Sequence, residues 1–64
     1  MQFQISLKAA RVNAGYRLVD AAKALGVTKE KLIKWERNSG LVAPIYQRVI
    51  SEVYKVPIDN IFFG

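Results

Sequence analysis

Residues 18–37 constrain the fold more than any other stretch, because they read as two short helices joined by a tight turn. Leu18, Ala21, Ala22 and Leu25 recur at helical spacing, and Leu32 and Trp35 lie one turn apart further on. Gly26 falls between the two sets, where a helix end favours a residue with positive φ. Val27 can fill the corner, and Thr28 can cap the second helix by accepting from a free backbone N–H. Lys29, Glu30, Lys31 and Lys34 stand between the apolar positions, on a face the pattern leaves outside. A helix-turn-helix lays such a face in the major groove of DNA.

The remaining segments complete an all-α chain, read as one domain over residues 1–64. Residues 1–5 alternate polar and apolar, which suits a short extended arm or a frayed start. Ser6 can cap a first helix running to about Ala14, with Leu7 and Ala10 inward and Gly15 ending it. Helix two covers about Leu18 to Leu25, and helix three about Lys29 to Arg37. Residues 38–43 read as a loop, and Pro44 suits the first position of helix four, where its missing N–H is no loss. Ile45, Tyr46, Val49, Ile50, Val53 and Tyr54 give that helix a wide apolar face. Pro57 stops it, and Asp59 can cap a final turn holding Ile61 and Phe62. The expectation is a compact five-helix globule.

Composition narrows the chemistry. The 64 residues contain neither cysteine nor histidine, so disulfides, thiolate metal sites and the commonest general base are excluded. Catalysis would have to rest on Asp20, Glu30, Glu36, Asp59 or lysines, none arranged as a recognisable pair. The reading is therefore a non-enzyme with no cofactor, no metal and no small-molecule substrate. No apolar run approaches the ~20 residues of a membrane span, and the cytoplasm of a bacterial or phage-infected cell is the expected location. Ten Lys and Arg against five Asp and Glu leave a net charge of +5, which favours a polyanionic partner. Six of the ten cations (Arg17, Lys23, Lys29, Lys31, Lys34 and Arg37) fall within residues 17–37, against Asp20, Glu30 and Glu36.

Three stretches carry a family resemblance: Ala22-Lys23-Ala24-Leu25-Gly26-Val27-Thr28, then Leu32 with Trp35-Glu36-Arg37, then Tyr54-Lys55-Val56-Pro57-Ile58-Asp59-Asn60-Ile61-Phe62. Together they resemble the lambda-type phage repressor and Cro helix-turn-helix domains, over roughly Leu7 to Gly64. The resemblance implies a lambda-repressor-like fold, a double-stranded DNA partner and transcription regulation. It implies base reading by Lys29, Glu30 and Lys34, flanked by Ile33 or Lys31. It also implies a largely buried salt bridge between Arg11 and Glu36. Such relatives usually begin helix two with a Ser or Thr cap followed by a phosphate-binding Gln; here Arg17 and Leu18 occupy those places, so that polar contact is missing.

Several residues admit two readings. Glu30 can accept from a cytosine amino group, or simply sit well at a positive helix end. Arg17, Lys23, Thr28, Lys31, Arg37, Asn38 and Ser39 are the candidates for phosphate contact, from their places at helix starts and in the following loop. Lys8, Arg48 and Lys55 read as ordinary solvated charges, and the spacing of Trp35 from Leu32 makes it core. Phe62 and Phe63 cannot both point inward from one helix face, so one is free for a dimer contact. A single small helix reads few base pairs, which favours a homodimer on a two-fold operator with half-sites ~34 Å apart. Its surface is expected around Tyr54, Val56, Ile58 and Phe63. The competing reading is a protein-interaction module, such as an antitoxin or anti-repressor.

Overall fold

A computed structural model describes residues 3–64, and Met1 and Gln2 lie outside the described residues. Among the described residues there are four α-helices: α1 (Leu7–Asn13), α2 (Leu18–Leu25), α3 (Lys29–Arg37) and α4 (Pro44–Tyr54). Short 3-10 turns occupy Ser39–Leu41 and Ile58–Asn60.

Local chemistry accounts for most boundaries. The Ser6 hydroxyl accepts from the Ala9 amide at 3.0 Å and opens α1, and the Thr28 hydroxyl accepts from the Lys31 amide at 3.1 Å and opens α3. Arg17 precedes α2 with no side-chain cap, so that terminus is held by the packing of Leu18 and Ala21, to which the exposed Arg17–Asp20 pair at 3.0 Å adds little. Gly26 adopts the left-handed conformation, φ 74° and ψ 30°. Its amide and that of Val27 turn back to the Lys23 and Ala22 carbonyls, satisfying groups that the helix end leaves free.

The expected fifth helix is a correction. Residues 58–60 make a single 3-10 turn between Pro57, which has no amide to donate, and Ile61, whose backbone is extended. The extended conformation is used for pairing: Ile5 and Ile61 form a parallel β-bridge. The Ile5 amide donates to the Asn60 carbonyl at 2.8 Å, and the Phe62 amide donates to the Ile5 carbonyl at 2.9 Å. A helix continuing through Ile61 would forfeit both bonds. The extended arm is therefore present at Phe3 to Ile5 and stitched to the far end of the chain. The loop after α3 also contains a 3-10 turn that the sequence pattern did not indicate.

The core runs through all four helices. Leu7, Ala10, Ala21, Ala22, Leu25, Leu32, Trp35, Ile50 and Tyr54 are buried, joined by Val42 and Ile61 from the connecting segments. The small side chains of Ala10, Ala21 and Ala22 are buried where α1 and α2 each pack on α3 and α4. Trp35 meets Tyr46 at 5.1 Å between ring centroids, coupling α3 to α4.

One charged pair sits at the edge of this core. The Arg11 Nε donates to Glu36 Oε2 at 2.7 Å and Nη2 donates to Oε1 at 3.3 Å, while Nη1 donates to the Tyr16 carbonyl at 3.0 Å. Both side chains are only 11% exposed. Close by, the Tyr54 hydroxyl is buried without a hydrogen-bond partner among the described residues. Burial pushes its phenol from an ordinary value of 10.0 up to about 12, with the Glu36 carboxylate adding to the rise and Arg11 opposing it.

Three outcomes are expected from unfolding measurements. Glu36→Ala should cost about 3–5 kcal/mol by stranding the Arg11 guanidinium, whereas Glu52→Ala, on the exposed side of α4, should cost less than about 0.5 kcal/mol. Gly26→Ala should cost about 1–2 kcal/mol through backbone strain, since a Cβ there meets nothing within 4 Å. Tyr54→Phe should be neutral or stabilising near pH 7, because it removes an unpaired buried hydroxyl. The folded state holds the Tyr54 proton more tightly than the unfolded chain does. That contribution is complete below pH 10 and is lost as pH rises toward 12, so wild type should lose stability relative to Tyr54→Phe only on the alkaline side.

Candidate nucleic-acid interface

The α2–α3 hairpin presents one side of α3 to solvent. With about 100° per residue around a helix, the buried Leu32 and Trp35 point one way, and Glu30, Lys34 and Arg37 point the other. Those three lie within about 60° of one another on the circumference. Lys29 and Ile33 flank them on one side, exposed and half-buried respectively, and Lys31 flanks them on the other. The candidate reading residues Lys29, Glu30, Ile33 and Lys34 thus share one accessible surface.

The candidate phosphate residues lie on α2, at the helix starts and at the end of α3. Lys23 is exposed on α2, and Arg37 and Asn38 are exposed at the end of α3. Ser39 is half-buried at the start of the 3-10 turn, and Thr28 is exposed with its hydroxyl engaged as a cap. Arg17 is 88% exposed and its partner Asp20 45%, so water screens that pair and leaves the guanidinium available. Lys8 on α1, Arg48 on α4 and Lys55 at the end of α4 are exposed.

The structure changes the charge balance that composition suggested. Of the three acids in residues 17–37, Glu36 is turned inward onto Arg11 and Asp20 is held by Arg17. Glu30 is the acid left on the outer face. Among the described residues, Lys23, Lys29, Lys31, Lys34 and Arg37 form no ion pair within 4.0 Å. The outer surface is therefore more positive than the sequence count indicates.

Two features had no usable signal in the sequence. The Lys31 ammonium lies 5.6 Å from the Trp35 ring centroid and 5.8 Å from that of Tyr46, within cation–π range of both. Tyr46 arrives from α4, so periodicity along α3 could not reveal it. Beside this cluster, Glu30, Lys31, Lys34, Trp35 and Leu41 enclose an open depression of about 480 Å³.

The expected dimer surface needs correction. Tyr54 is 2% exposed and belongs to the core, where its ring packs 5.8 Å from that of Tyr16. Phe63 is half-buried against the core, whereas Phe62 is 51% exposed. The reason is the extended backbone after Asn60: alternate side chains take opposite sides, so Ile61 goes in, Phe62 out and Phe63 back in. Ile58 is exposed and Val56 half-buried.

No helix among the described residues is long and apolar enough to cross a membrane. In comparisons with known proteins, no curated protein and no solved structure gives a significant match. A family model described as helix-turn-helix matches residues 7–61, a span that takes in all four helices and the closing 3-10 turn. The chain belongs to the lambda repressor/Cro-type helix-turn-helix family of DNA-binding regulators.

Proposed function

We propose that this chain is a sequence-specific transcriptional regulator, phage- or prophage-like, that binds a two-fold operator as a homodimer in the cytoplasm. The observation that carries this reading is the sorting of charge on α3: Glu36 is withdrawn into a buried bridge while Lys29, Lys34 and Arg37 remain exposed and unpaired. In this proposal α3 enters the major groove. Lys29 and Lys34 donate to guanine O6 and N7, Glu30 accepts from cytosine N4, and Ile33 supplies apolar contact. Arg17, Lys23, Thr28, Lys31, Arg37, Asn38 and Ser39 hold the flanking phosphates and set the register. No step requires a cofactor or a small molecule.

The dimer surface proposed here is the apolar patch of Ile58 and Phe62 with the edge of Val56. A modest contact suffices, because two copies on adjacent half-sites of one duplex raise each other's effective concentration.

Selection of duplexes from a random library should return a palindromic motif. Affinity should fall as salt rises, with a log–log slope of about −0.9 per phosphate neutralised. Salt-insensitive capture of a protein target, with no duplex selected, would favour the interaction-module reading. Lys34→Ala should relax preference at one base pair by about 1–3 kcal/mol. Lys31→Ala should weaken all duplexes alike. Phe62→Ser should reduce cooperativity on the full operator while half-site affinity stays near wild type; unchanged cooperativity would remove the C-terminal segment from the interface.

A further inference from the structure

The depression beside α3 has a composition unusual for a phosphate-binding surface. Its lining is mostly apolar, supplied chiefly by the exposed Leu41 with only an edge of the buried Trp35, and its rim carries Lys31, Lys34 and Glu30. Leu41 is 50% exposed at the end of its 3-10 turn. A single exposed leucine needs no explanation, but here it shares a concavity with an aromatic side chain, directly beside the outermost residues of α3. The Lys31 ammonium is drawn over the Trp35 and Tyr46 rings, so its place at the rim is set by cation–π attraction and not left to a free side chain.

We propose that this depression is a subsite for the C5 methyl of thymine, and that Leu41 determines specificity from outside the recognition helix. The inference rests on the DNA-binding reading above and adds a base identity to it. In the major groove the base edges present nitrogen and oxygen atoms and one apolar group, the thymine methyl. An apolar wall exposed beside Glu30 and Lys34 therefore has one complementary group to meet in that groove. Lys31 meets a flanking phosphate and Lys34 an adjacent base, so the apolar contact is made inside a charge-matched surface. Cytosine places a hydrogen where thymine places its methyl, and leaves the wall without contact.

The test uses the motif selected from a random duplex library, with each thymine replaced in turn by uracil. That change removes the methyl and keeps both O4 and the pairing. The expected result is one position per half-site at which wild type binds the uracil duplex about fourfold more weakly, the value of one methyl-sized apolar group. Leu41→Ser should bind thymine and uracil duplexes equally, near the wild-type affinity for uracil. Its exposed position makes the variant safe for folding, and the uracil series on wild type needs no variant at all. A motif in which no uracil substitution weakens binding overturns the subsite and leaves the DNA reading intact. A thymine preference that persists in Leu41→Ser overturns the assignment to this residue and passes it to Ile33. Failure of wild type to select any duplex overturns the DNA reading, and the subsite with it.

Discussion

The bidentate pair between Arg11 and Glu36 joins the first helix to the end of the third, and much of the molecule depends on that junction. One guanidinium makes three hydrogen bonds there, two to the carboxylate and one to the Tyr16 carbonyl in the loop before α2. The first helix, the loop just after it and the end of the third helix, 25 residues on, are thereby tied to one planar group. Burying two charges costs desolvation energy that their attraction only roughly offsets, so the bridge adds little net stability while fixing geometry. A rotated α3 would break a planar, directional contact and expose a charge to the core. The nearby Tyr54 phenol, buried and without a hydrogen-bond partner among the described residues, marks that end of the core as poorly solvated.

The same bridge shapes the outer face of α3, the surface proposed to meet DNA. An unpaired Glu36 turned outward would place a second carboxylate beside the cations of α3 and repel phosphates. Turned inward, it leaves Glu30 as the acid on that face, at the helix N-terminus where a carboxylate is favoured by the dipole. The interior contact and the exterior potential are two consequences of one rotamer choice.

Aromatic packing does for the α3–α4 junction what the ion pair does for α1–α3. Trp35 and Tyr46 meet at a tilted angle of 54°, a geometry that suits ring quadrupoles, and their faces hold Lys31. A rigid base under a cationic rim is the arrangement from which binding loses least conformational entropy. The loop that follows α3 then closes over Val42, buried at 3% exposure, and leaves Leu41 outside.

Spacing and turn chemistry along the chain were enough for the four helices, their caps at Ser6 and Thr28, and the left-handed turn at Gly26. Those features are governed by contacts within a few residues, and a 3.6-residue period records them directly. The Arg11–Glu36 pair was reachable only through family resemblance, since 25 residues separate the partners. The closing segment escaped local reading because the Ile5–Ile61 bridge takes the backbone hydrogen bonds that a fifth helix would need. That pairing reversed the roles of Phe62 and Phe63. Tyr46 beneath Lys31, and Leu41 beside Lys34, likewise became visible only once α4 and the 3-10 turn packed against α3. Sequence determines which short helices form, because nearest-neighbour backbone bonding decides that; tertiary structure decides which charges are withdrawn and which apolar groups reach the binding face, because those depend on groups brought together from distant parts of the chain.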